Sequence, residues 1–107
     1  MLIDIRSGAF GSFGPFPIYA LQITDFQYPS SRDAVGAIAN NPVGGWYWST
    51  LDYTAFQYIN VRGITQFRLR FQLDDNDDLG NDYLSFYSGN HSSQADRPQL
   101  LVEYHVK

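Results

Sequence analysis

The most regular stretch of the chain is residues 65–73, where Phe67, Leu69, Phe71 and Leu73 alternate with Gln66, Arg68, Arg70 and Gln72. A period of two sends apolar side chains to one face of an extended strand and polar ones to the other, which predicts a half-buried β-strand. The period recurs near the C-terminus, where Leu100, Val102, Tyr104 and Val106 alternate with Leu101, Glu103 and His105 after Arg97-Pro98. Proline suits the opening of a strand because it has no ladder donor. Residues 83–88 set Leu84 and Phe86 against Tyr83, Ser85 and Tyr87, and residues 46–51 follow the turn signal Pro42-Val43-Gly44-Gly45. Both are predicted strands. Residues 2–6 and 34–39 bring the expected number to six.

Helix signals are sparse. Phe56 and Ile59 stand three apart within residues 53–60, which suits one helical turn, and residues 18–26 hold a second candidate turn. Residues 7–17 read as a loop of Gly, Phe and Pro. Short strands separated by turn signals predict an all-β fold, an antiparallel β-sandwich of jelly-roll type with about six strands and one or two short helical turns. The expected organisation is a single domain over residues 1–107.

Composition narrows the function classes. The 107 residues are 44% hydrophobic and 17% aromatic, too apolar for a disordered chain and sufficient for a core. No cysteine is present, so disulfides, thiolate metal sites and cysteine nucleophiles are excluded. Seven basic against eleven acidic side chains give a net charge of −4, and Lys107 is the sole lysine, which argues against a nucleic-acid partner. No apolar run is long enough to predict a membrane span, and the first residues carry no basic-then-apolar leader pattern.

Several words of the sequence are familiar together: Gly45-Trp46-Tyr47, Thr65-Gln66-Phe67-Arg68-Leu69-Arg70-Phe71, Asp74-Asp75-Asn76-Asp77-Asp78, Tyr83-Leu84-Ser85-Phe86-Tyr87-Ser88-Gly89 and Arg97-Pro98-Gln99-Leu100. With Ile3-Asp4-Ile5-Arg6-Ser7-Gly8-Ala9-Phe10-Gly11 and Asp25-Phe26-Gln27, the chain resembles the DNRLRE, or disaggregatase-related, domains over nearly its whole length. The resemblance implies a β-sandwich module of secreted or surface-bound bacterial and archaeal proteins, hence an extracellular or cell-surface location. Some such domains are classed as carbohydrate-binding modules of the alginate-type polysaccharide group, and none is known as an enzyme. Family domains begin with further strands, so the chain is expected to correspond to the C-terminal portion of a larger module. A sheet lacking a neighbouring strand would expose an edge that a second copy satisfies, giving a homo-oligomer.

Three groups of residues carry candidate chemistry. Asp74, Asp75, Asn76, Asp77 and Asp78 offer hard oxygen ligands of the kind Ca²⁺ prefers, although the glycine and glutamate positions of an EF-hand are missing. The plainer alternative is a solvated turn whose Asp and Asn side chains bond local amides. Trp46, Tyr47 and Trp48 supply flat rings on which the apolar faces of sugars stack. Alternation separates Trp46 and Trp48 from Tyr47; core packing is the expected fate of Trp46, and exposure that of Trp48. Arg68 and Arg70 project from the polar face of the predicted strand, where guanidinium groups pair with carboxylates such as those of an acidic polysaccharide, or simply meet solvent.

Glu103 lies two residues before His105 on the same predicted strand face, which suits an acid/base pair and equally an ordinary surface pair. No nucleophile elbow or His-Glu-x-x-His word accompanies them. The functional expectation is therefore a non-catalytic module that binds polysaccharide through Tyr47, Trp48, Arg68 and Arg70, or that supports neighbouring domains of a surface protein. The alternatives are a structural, adhesive, self-associating domain and a hydrolase fragment built on Glu103, His105 and the acidic turn, which would need a concave pocket there.

Overall fold

In Leu2-Ile3-Asp4-Ile5-Arg6-Ser7, β-branched isoleucines alternate with polar residues, and this stretch forms the central strand, β1 (Leu2–Ser7), of an antiparallel sheet. The computed structural model describes residues 1–11, 22–73 and 77–106. β2 (Arg32–Ala37) flanks β1 on one side and β3 (Thr65–Arg70) on the other, giving the order β2-β1-β3. β1 and β3 pair without interruption from Leu2 opposite Arg70 to Ser7 opposite Thr65.

The pairing with β2 is bulged. Ile3 faces Gly36 and Ile5 faces Arg32, so a step of two residues on β1 meets a step of four on β2. Ala34 lies inside the bulge with φ 52°, a left-handed conformation that costs an L-residue roughly 1–2 kcal/mol. Its N–H turns away from the ladder and donates to Asp4 Oδ1 at 2.9 Å.

The apolar face of the sheet builds the core. Ile3, Ile5 and Val35 are buried together with Ala55, and Ile38, Leu51, Tyr58, Ile59 and Phe67 pack around them. Full burial of each Ile or Val side chain contributes about 1.5–3 kcal/mol, so this small cluster carries much of the stability of its unit. The 3₁₀ turn Tyr53–Tyr58 brings Ala55 into place; Asp52 caps it by accepting the Thr54 N–H at 2.8 Å, while its own N–H donates to Val35 O at 2.6 Å. Gly36 makes room for this layer: a Cβ there would lie 2.9 Å from Ser49 Oγ and 3.1 Å from Leu51 Cδ2.

Among the described residues, the six-stranded sandwich expected from periodicity is not formed. The sheet is one open layer of three strands, and residues 46–51, 83–88 and 100–106 are not strands. Residues 49–52 do lie beside β2, but Ser49 Oγ takes the Ala37 N–H at 3.1 Å where a ladder carbonyl would otherwise accept, so no ladder propagates. Pro42-Val43-Gly44-Gly45 does turn the chain. Gly44 and Gly45 adopt φ 58° and 81°, and Val43 and Trp46 exchange N–H···O bonds of 2.9 and 3.0 Å across them, which is the conformation a two-residue hairpin requires. The helical turn expected in residues 53–60 is the Tyr53–Tyr58 turn. That expected in residues 18–26 is represented by a 3₁₀ turn at Ile23–Phe26, with residues 18–21 outside the described residues.

The chain divides into two units, Met1–Asp74 and Asp75–Lys107. The second holds a 3₁₀ turn at Gln94–Asp96 and a turn in which the His91 N–H donates to Ser88 O. There the Tyr87 and His91 rings lie 4.0 Å apart and Arg97 Nε donates to His91 O at 2.8 Å. Leu101, Tyr104 and Val106 are exposed, and no described residue of this unit is buried. Among the described residues, no helix is long and apolar enough to cross a membrane.

Candidate functional site

The two faces of the sheet do different work, and the polar face is organised by one carboxylate. Asp4 sits mid-β1, directly opposite Arg68 on β3, and its side chain is completely buried. Its Oδ2 accepts from Arg68 Nη2 at 2.8 Å, Arg68 Nε at 3.1 Å and Arg70 Nε at 2.9 Å, while Oδ1 accepts from the Ala34 N–H. Burial pushes the Asp4 pKa up, but the bonds from Arg70, Ala34 and Arg68 together outweigh it and hold the carboxyl below its ordinary value. Reciprocally, the bond to Asp4 raises the pKa of Arg70.

Arg68 is occupied on all sides. Its Nη1 donates to the carbonyls of Asp25, Phe26 and Tyr28 at 3.1, 3.3 and 2.7 Å, and its guanidinium lies 4.8 Å from the centroid of the Phe10 ring. Arg6 fastens the same layer by donating to Ala9 O and Pro29 O at 2.9 and 2.7 Å. Arg68 on β3 and Arg6 on β1 thus clamp the segments around residues 9–10 and 25–29 onto the sheet. Arg70 keeps a partly exposed side chain, at 38%, but its Nε belongs to Asp4.

A hollow of about 570 Å³ runs beside β3, lined by Phe10, Asp25, Phe26, Gln66, Arg68 and their strand neighbours. Within this region Asp25 Oδ2 accepts the Gln22 N–H, whereas Oδ1 is buried without a hydrogen-bond partner among the described residues. That oxygen fills the space beside Gly11, which has φ 70° and whose Cβ, if present, would lie 1.9 Å from it.

A second concavity is lined in part by Trp48. Its volume is about 400 Å³, and Asn41, Ser49 and Thr50 line it with Ala37, Ala39 and Val43. The Trp48 side chain is 65% exposed, and the hairpin at Gly44-Gly45 returns the chain so that Asn41 and Val43 come to the same groove. Ser49 Oγ is used twice, accepting from Ala37 and donating to Thr50 O at 3.1 Å. Among the described residues, the Asn41 side-chain amide and the Thr50 hydroxyl make no hydrogen bond. The groove therefore presents a flat ring bordered by neutral donors and acceptors.

The remaining candidates are dispersed. Tyr47 is half-buried, and Trp46, expected in the core, is 43% exposed at the foot of its hairpin. Asp74, Asp75 and Asn76 lie outside the described residues; Asp77 and Asp78 are exposed, and Asp78 Oδ1 accepts the Gly80 N–H at 2.6 Å in a local turn. Among the described residues no three His, Cys, Asp or Glu side chains cluster as a metal site would require. Glu103 and His105 are exposed and line neither hollow.

Asp4, Asn41 and Thr50 were not candidates on sequence grounds. For Thr50, the signal available was adjacency to Trp48; for Asn41, only the hairpin creates the proximity. Comparison with protein-family models, curated proteins and solved structures finds no match to this chain.

Proposed function

We propose that the chain is a non-catalytic glycan-binding module and that a sugar ring stacks on Trp48. The observation that carries this reading is the exposed Trp48 side chain in a groove also lined by the Asn41 amide and the Thr50 hydroxyl, which have no hydrogen-bond partner among the described residues. A pyranose has apolar C–H faces and a hydroxyl rim, so it is matched by a flat aromatic surface with neutral hydrogen-bonding groups at its border. A large exposed ring otherwise gains little from solvent. The words of the sequence that resemble disaggregatase-related domains are in keeping with glycan recognition at a cell surface.

The test is binding of the intact chain to a polysaccharide array, with Trp48→Ala beside it. The variant should lose binding and keep its melting temperature, because the residue removed is largely in solvent. Equal binding by both proteins would move the site elsewhere.

Self-association is the second reading, favoured by the exposed Leu100, Leu101, Val102, Tyr104 and Val106. Light scattering across a concentration series decides it: a growing dimer fraction supports this reading, and a constant monomer mass removes it.

A further inference from the structure

Resting on the reading of the Trp48 groove as a glycan site, we infer that its ligand is an uncharged pyranose chain and that uronates and other anionic sugars are excluded. The inference comes from what lines the groove. Among the described residues that line it, Asn41, Ser49 and Thr50 supply neutral amide and hydroxyl groups beside the Trp48 indole, and alanines and Val43 form the rest. No ionisable group is among them.

A carboxylate brought against Trp48 would lose hydration without gaining a cation or a set of convergent donors, which is unfavourable. Neutral hydroxyls suffer no such loss. The Asn41 amide both donates and accepts, as does the Thr50 hydroxyl, so each meets a sugar hydroxyl in either role.

The arginines bound to described partners are committed elsewhere, and the exposed Arg32 and Arg62 do not line the groove. Arg68 and Arg70 hold the buried Asp4, Arg6 holds the carbonyls of Ala9 and Pro29, and Arg97 holds that of His91. Freeing Arg68 for a ligand would leave Asp4 short of its main partner, a far larger loss than one exposed ion pair returns. The net charge of −4 adds a field that repels polyanions at low ionic strength. With a volume near 400 Å³, at the lower end of the roughly 300–1,000 Å³ of small-ligand sites, the groove takes a short stretch of chain.

A matched pair of polymers isolates the charge. Fully methyl-esterified homogalacturonan and the same polymer after de-esterification are arrayed with neutral β-glucan, mannan and galactan, and with alginate. The probes are the intact chain, Trp48→Ala and Asn41→Ala, each checked for an unchanged melting temperature. The expected result is retention on one or more neutral polymers, none on alginate or de-esterified homogalacturonan, and no loss between low and high NaCl. Trp48→Ala should weaken that retention by at least about tenfold.

Stronger retention on alginate or on the de-esterified polymer than on neutral polymers would overturn the charge selectivity and leave glycan binding standing. Retention on neutral polymers that Trp48→Ala leaves unchanged would overturn the assignment to this groove. Silence on every polymer would overturn both the selectivity and the glycan reading.

Discussion

β3 and residues 100–106 carry nearly the same alternation of apolar and polar side chains, yet they end in different states. β3 pairs along its whole length with β1, packs Phe67 against the core and anchors Arg68 and Arg70 on a buried carboxylate. Residues 100–106 form no ladder and leave Leu101 85% exposed. A period of two is thus compatible with a strand but does not create one. The backbone needs a partner for its N–H and C=O groups, and the apolar face needs a layer to cover it. In β3 one edge pairs with β1 and Phe67 packs against the core, and a further element is added: a charge-assisted network that ties β3, β1 and the bulge of β2 to a single residue, Asp4.

The comparison is broken most severely at Asp4. Asp4→Ala strands two guanidinium groups and the Ala34 N–H, and loss of one member of a buried ionic network costs about 3–5 kcal/mol. Urea denaturation should show a large drop in midpoint or no folded baseline. Asp4→Asn keeps an acceptor but not the charge and should fall between the wild type and the alanine variant.

Next in size is the apolar side of the same strand. Ile5 is fully buried, so Ile5→Ala should destabilise by roughly 2–5 kcal/mol in the same measurement. An effect below about 0.5 kcal/mol would mean that the sheet's apolar face is not the core.

Acid should weaken the network in a defined direction. The folded-state pKa of Asp4 lies below its ordinary value of 3.8, so its contribution is complete above that pH and is lost as the pH falls through that value towards the lower folded one. Melting temperatures recorded from neutral into this range should fall for the wild type. Asp4→Asn should lack Asp4's share of that slope while keeping the share of Asp52, whose pKa is also depressed, chiefly by the Thr54 N–H.

The smallest effect is expected in the C-terminal segment. Val102→Ala should shift stability by no more than about 0.5 kcal/mol, because the side chain is more than half exposed. Backbone amides of residues 100–106 should exchange with solvent far faster than the ladder amides of β1 and β3. Protection of residues 100–106 at high protein concentration alone would assign their cover to a second copy.

Alternation located residues 2–6 and 65–70 correctly but overran β3, which ends at Arg70 short of the expected residue 73, and it marked residues 100–106 equally well although they form no strand. β2 begins at Arg32, ahead of the expected residue 34, because the bulge at Ala34 interrupts the period that would have marked its start. Residues 46–51 failed as a strand for a local reason: Ser49 satisfies the neighbouring amide with its hydroxyl. Asp4 was illegible as a buried group, since a lone aspartate between two isoleucines reads as one solvent-facing position. Its partners are 64 and 66 residues away along the chain. At the candidate site, Trp48 stood out by its chemistry, whereas Asn41 has no signal of its own.

The sequence by itself determined the local terms: β-propensity and alternation in β1 and β3, the Gly44-Gly45 turn, the helical turn following Asp52, the absence of cysteine chemistry and the negative net charge. These depend on steric and electrostatic properties of neighbouring residues. Only the tertiary structure decided which alternating segments became strands, that Asp4 is buried, that Arg68 and Arg70 serve the sheet, and that Asn41 and Thr50 meet at Trp48. Those outcomes rest on pairing and burial between distant residues, where the energy of one side chain depends on whether its partner has arrived.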